Sequence, residues 1–87
     1  MKGRRIHTDE QGHVIFRSGD YGKTHDGVWH CMPPGEDSML GSLANHEVTE
    51  HEDGTITVKP SILIQGEDGD RKLKWHGYLE RGEWRTC

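Results

Sequence analysis

The chain has no apolar run near the roughly 20 residues that a membrane-spanning helix needs. Its opening stretch, MKGRRIHTDE, lacks the apolar middle of a secretory signal, so a cytosolic setting is expected. Cysteine is almost absent: Cys31 and Cys87 are the only two, and with no such signal ahead of them two free thiols are expected rather than a disulfide. Apolar side chains are scarce as well, at 30% of the chain and equal to the charged fraction. That leaves one small core and argues against a large catalytic cavity. With 87 residues the chain makes one domain at most, and a domain of that size buries only about 60–65% of the surface its unfolded chain exposes. Excess positive charge is missing too. The formal charge is −4, which excludes nucleic-acid binding by bulk charge, although seven histidines would carry it to +3 if all were protonated.

What the sequence does have is punctuation. Glycine and aspartate recur in DEQG at 9–12, SGDYG at 18–22, HDG at 25–27, PPGED at 33–37, EDG at 52–54, GEDGD at 66–70 and ERG at 80–82. Short runs rich in β-branched and aromatic residues lie between them, the signature of an antiparallel all-β domain. Strands are predicted at 5–7, 13–17, 27–32, 46–51, 55–59, 61–65, 72–79 and 83–86. SMLGSLA, 38–44, makes at most one short helical turn. The fold class is all-β: a small antiparallel curved sheet, sandwich or partly open barrel in a single domain over 1–87, with residues 1–4 expected to be disordered.

Register can be argued for the 46–59 hairpin. A two-residue Asp53-Gly54 loop would set Thr49 opposite Val58. A three-residue Glu52-Asp53-Gly54 loop, with Gly54 left-handed in a bulge, instead pairs Val48 with Val58 and Thr49 with Thr57, matching like with like. Pro60 cannot donate to a ladder, so it should end one strand and bend the chain into the next. The SILI run, 61–64, then reads as a central strand covered on one side by Leu73, Trp75 and Leu79. Gly77 shares their parity, at a point where a neighbour can approach closely.

Seven histidines invite a metal reading, with His25, His30, Cys31 and His76 as the candidates. No Cys pair has two-residue spacing, however, and His30 and Cys31 point to opposite faces of one strand. Solvated or hydrogen-bonded histidines are the expectation, and no metal or other cofactor is assigned. A nucleophile would need Cys31 with His30 or His76, or one of Ser38, Ser42 and Ser61 with a nearby base. No cationic partner or helix N-terminus is evident to lower the Cys31 pKa, and no G-x-S-x-G elbow or phosphate-cradling loop occurs. No catalytic residue is assigned. The acidic clusters at 35–37, 50–53 and 66–70 lack the ligand run of a calcium loop and read as solvated turns, or as an acidic rim toward a basic partner. Trp29, Trp75 and Trp84 read as core first and as contact surface second.

The segment MPPGEDSMLGSLAN, 32–45, departs from this economy of short turns. Structureless loops of about 12–15 residues are uncommon unless functional, and methionine suits an adaptable contact. The candidate partner-binding residues are therefore Trp29, Met32, Met39, Leu40 and Leu43.

HEDGTITVKPSILI followed by WHGYLERGEW resembles a family of small proteins of unknown function encoded by bacteriophages, especially those of actinobacteria, and by bacteria carrying prophages. The resemblance covers residues 14–86. Broader relatives carry a C-x-x-C-G-x-x-x-H-like segment and a later C-H pair, a set suited to zinc; the matching cysteine positions here are Ser18, Tyr21 and Trp75. The resemblance implies a viral protein working in the host cytoplasm. The expected function is a non-enzymatic binding module acting on a host protein or defence system. A virion structural or assembly accessory and a metal- or thiol-dependent enzyme are the alternatives. The expected partner is a host or phage protein, not nucleic acid or membrane, and an open sheet edge makes a homodimer the expected assembly.

Overall fold

The computed structural model describes residues 1–9, 11, 13–35, 39–65 and 73–86. They form two four-stranded sheets and no helix. The first contains β1 (Arg4–Ile6), β2 (Asp20–Lys23), β3 (Trp29–Cys31) and β4 (Gly41–Ser42), in that order. The second is an antiparallel meander of β5 (Glu47–Glu50), β6 (Ile56–Gln65), β7 (Leu73–Glu80) and β8 (Glu83–Thr86). No described helix is long and apolar enough to cross a membrane. Ser38, Cys87, the acidic turn at 66–70 and part of that at 35–37 lie outside the described residues.

In the first sheet the structure departs from the pattern. β1 pairs with β2 in parallel, and a parallel pair needs a crossover of a dozen or so residues. Residues 13–17, expected to be a strand, are consumed by that crossover, leaving Ile15 80% exposed. The strand lies instead in SGDYG, which had read as a turn. Asp20, 2% exposed, makes this work: its carboxylate accepts both Nε–H and Nη2–H of Arg4 at 3.0 Å and the Arg17 N–H at 2.9 Å. Gly22 completes the fit, since a Cβ there would lie 2.6 Å from the Ile6 carbonyl oxygen.

Residues 1–4 are structured, contrary to expectation, because β8 has an edge to fill. Lys2 bridges Glu83, the Trp84 N–H donates to the Met1 carbonyl at 2.7 Å, and the Gly3 N–H donates to that of Gly82 at 2.7 Å. This segment runs from β8 to β1 and links the two sheets as a partly open barrel. Trp84 strengthens the link, donating its indole N–H to the Gly19 carbonyl at 3.0 Å and meeting Trp75 edge to face at 5.3 Å. Around this pair lie Tyr21, Cys31, Leu43, Ile56, Val58, Ile62, Ile64 and Leu79, all buried.

In the second sheet the three-residue register holds. Val48 faces Val58 and Thr49 faces Thr57, while Gly54 has φ +88° and donates to the His51 carbonyl at 3.0 Å. The Asp53 carboxylate fastens the loop by accepting the Thr55 N–H at 3.0 Å and hydroxyl at 2.6 Å. Pro60 does not end a strand. β6 runs through it with a register break between Val58 and Ile62. Val58 lies opposite Leu79 and Ile62 opposite Gly77, so residues 59–61 together face Tyr78 alone. β6 is central and covered on one side, as expected: Ile62 and Ile64 point inward while Leu63 is 51% exposed.

Candidate functional site

The alternation that buries Trp75, Gly77 and Leu79 turns His76, Tyr78 and Glu80 outward. On β6 it turns out Thr57 and Leu63. Leu63 is the cross-strand partner of His76, which makes Tyr78 its diagonal neighbour on the same face, at about 7–8 Å. Tyr78 is 46% exposed, because the bulge at 59–61 leaves its ring without a one-to-one partner across the strand. Beside it opens a groove of about 410 Å³ lined by Thr49, His51, Thr57, Lys59, Tyr78 and Arg81, among others. Its floor is tied together: the His51 Nε2 lies 2.7 Å from the Thr57 hydroxyl oxygen, which also accepts the Arg81 N–H at 3.0 Å. The outward face is charge-balanced, with Glu47, Glu80 and Glu83 against Lys59, Arg81 and Arg85.

The residues expected to bind a partner are divided differently. Leu43 is a correction: at 2% exposure it belongs to the core, and its N–H is held by the Trp29 carbonyl at 2.8 Å. Met39 is half-buried against that core, and Met32 is half-buried with its N–H on the Asp20 carbonyl. Trp29 is also half-buried, and its ring already carries Arg5 at 4.7 Å and Lys23 at 5.6 Å. Of the five, Leu40 alone is exposed, at 49%. Residues 39–43 thus pack onto the core, where Gly41 passes so close to Ile64 that a Cβ would lie 2.5 Å from its Cδ1.

Among the described residues no three His, Cys, Asp or Glu side chains are grouped for a metal ion. His25 is exposed, and the His30 Nδ1 lies 3.1 Å from the Val28 carbonyl oxygen. Of the positions matching the family's cysteines, Tyr21 and Trp75 are core, and the Ser18 hydroxyl accepts the Gly35 N–H at 3.1 Å. Cys31 is fully buried, and desolvation pushes its thiol up to about 12, the reverse of an activated nucleophile. Ser42 accepts the Ala44 N–H at 3.2 Å. Among the described serines, Ser61 is the one brought to a base, its Oγ 3.1 Å from the His76 Nε2, while its carbonyl oxygen lies 3.3 Å from the His46 Nε2.

The chain matches no protein-family model, no curated protein and no solved structure. Its site must therefore be read from geometry. Sequence reasoning passed over Leu63 and Tyr78 because it placed the contact in the long loop. The signal was available in the parity of 75, 77 and 79, which leaves 76 and 78 facing out.

Proposed function

We propose that the chain is a phage-encoded, non-enzymatic binding module that presents the outward face of its second sheet to a host protein. One observation carries the reading: Leu63 and Tyr78, both about half exposed, adjoin on one face beside the Tyr78 groove. An aromatic and an aliphatic anchor ringed by charges of both signs is the composition of a protein contact. The balance of carboxylates and cations there favours a protein over a polyanion or an anionic lipid surface. The phage setting rests on the resemblance carried by the PSIL strand and the HGYL segment.

The test compares proteins captured from host lysate by the native chain, by a Leu63→Ser/Tyr78→Ser double variant and by Leu40→Ser. A partner held by the native chain and by Leu40→Ser but lost from the double variant is the expected result, with melting temperatures alike. Truncating a central aromatic anchor costs on the order of 2 kcal/mol, or about 30-fold in affinity. Capture undiminished in the double variant, or lost on Leu40→Ser alone, overturns the assignment.

A further inference from the structure

A second groove, of about 610 Å³, lies between the start of the chain and the tip of the β5–β6 hairpin. Its chemistry differs from that of the sheet face. Lys2, Arg4, Arg5 and Arg81 line it, with Asp53 the one carboxylate among its lining residues. Two of these cations are held in place by other groups. Arg4 is fixed by its two-pronged contact with Asp20. Arg5 lies over the Trp29 ring and donates Nη1–H to Glu50 and to the Gly54 carbonyl, each at 2.8 Å. Its Nε is buried without a partner, and its Nη2 has no bond among the described residues. Lys2 and Arg81 make no ion pair among the described residues. In a chain of formal charge −4, this groove gathers fixed and free cations around one concavity.

Tyr21 adds a neutral donor to these cations. The residue is 2% exposed, yet it lines the groove, and its hydroxyl has no hydrogen-bond partner among the described residues. Its oxygen is not among the buried side-chain polar atoms left without a partner, so the phenol O–H opens onto the groove. Gly82, at φ +77°, lies close by: a Cβ there would lie 2.9 Å from the phenol oxygen. Burial raises the phenol's pKa, so at neutral pH it is an O–H donor facing a cationic concavity. A donor of that kind, with guanidinium forks and an ammonium beside it, is complementary to a tetrahedral oxyanion.

We propose that this groove binds the phosphate group of a small phosphorylated molecule, with Tyr21, Arg5 and Arg81 as its contacts and Lys2 at the rim. The volume lies within the roughly 300–1,000 Å³ of small-ligand sites. A polyanion fits less well, since Glu50, Glu52 and Asp53 stand at the hairpin end and the chain as a whole is acidic. Arg81 also lines the groove beside Tyr78, but the proposed phosphate contact does not depend on the function of the sheet face.

The test is calorimetric titration of the full chain at constant ionic strength with inorganic phosphate, a nucleoside 5′-monophosphate, the parent nucleoside, chloride and a single-stranded oligonucleotide. Saturable binding of phosphate and the monophosphate, without nucleoside or chloride binding, is expected. Tyr21→Phe removes only the hydroxyl and should weaken binding about tenfold. Arg81→Asn should weaken it similarly while suiting the turn better than arginine. Tighter binding of the monophosphate than of free phosphate identifies an organic phosphate as the ligand class; equal affinity narrows the site to the phosphate group itself. Phosphate behaving like chloride, affinity unchanged in both variants, or binding confined to the oligonucleotide overturns the proposal.

Discussion

Two buried residues show how differently one side chain can serve this molecule. Cys31 is wholly enclosed in the core, and burial holds its thiol protonated, pushed up to about 12. In a Cys87→Ser background, Cys31 is therefore expected to stay unreactive toward a thiol reagent at pH 8 and to react once denaturant unfolds the chain. Rapid labelling of the native protein would place the thiol at the surface. Asp20 is buried for the opposite reason, because it is polar and fully engaged by Arg4 and the Arg17 N–H. Asp20→Ala strands these donors and is expected to lower stability by about 2–3 kcal/mol, read from urea unfolding.

At the scale of the element, the β5–β6 and β7–β8 hairpins of the second sheet both turn through left-handed backbone. The β7–β8 turn joins Glu80 to Glu83 through Arg81 and Gly82, whose φ values are +46° and +77°. Positive φ at both central positions is the type I′ geometry that suits a twisted hairpin. Arginine is a poor occupant, so Arg81→Asn is expected to stabilise the fold by about 0.5 kcal/mol, seen as a raised melting temperature. Gly77 is constrained by space, not by φ. A Cβ there would lie 2.1 Å from the Arg85 carbonyl oxygen and 2.9 Å from the Thr86 Cα, both backbone atoms of β8. Gly77→Ala must push β8 away and is expected to cost about 3 kcal/mol, a loss that chemical denaturation would resolve. A near-neutral result would mean that β8 does not lie where it is described.

For the whole molecule, stability should fall away on both sides of neutral pH. Three carboxylates are held below their ordinary values: Asp26 chiefly by the Thr24 hydroxyl, Glu50 by Arg5 and Asp53 by the Thr55 hydroxyl. A depressed folded pKa contributes stability above the unfolded value, and that contribution is lost as pH falls through the folded one. The acid limb should therefore begin near pH 4.5, the ordinary glutamate value, and steepen below it. Cys31 and Tyr21 have the opposite sign, raised by burial from 9.0 and 10.0 respectively. Their contribution is complete below those values and is lost as pH climbs past them, because the unfolded chain releases its protons first. Melting temperature against pH should show both limbs, and Cys31→Ala should flatten the onset of the alkaline one near pH 9. An alkaline limb unchanged by that substitution would remove the thiol as its cause.

The sequence by itself determined the all-β class and the register of the second sheet's first hairpin. It could do so because those features are local: like residues face each other across the loop, and Gly54 occupies the one position that needs positive φ. Gly77 was legible for the same reason, from parity within one strand. In the first sheet the β1 and β3 segments were legible, but β2 and its pairing were not. Its β1–β2 pair is parallel and joins residues far apart in the chain, and β2 is built from Asp20 and Gly22, residues whose local preference is a turn. Their strand conformation depends on Arg4 and Ile6, which no local pattern could supply. The candidate sites divide in the same way. That Tyr78 faces outward followed from alternation, whereas its exposure came from the bulge at 59–61. The basic groove required the tertiary structure outright, because it brings Lys2, Arg5, Tyr21 and Arg81 together from three separate segments.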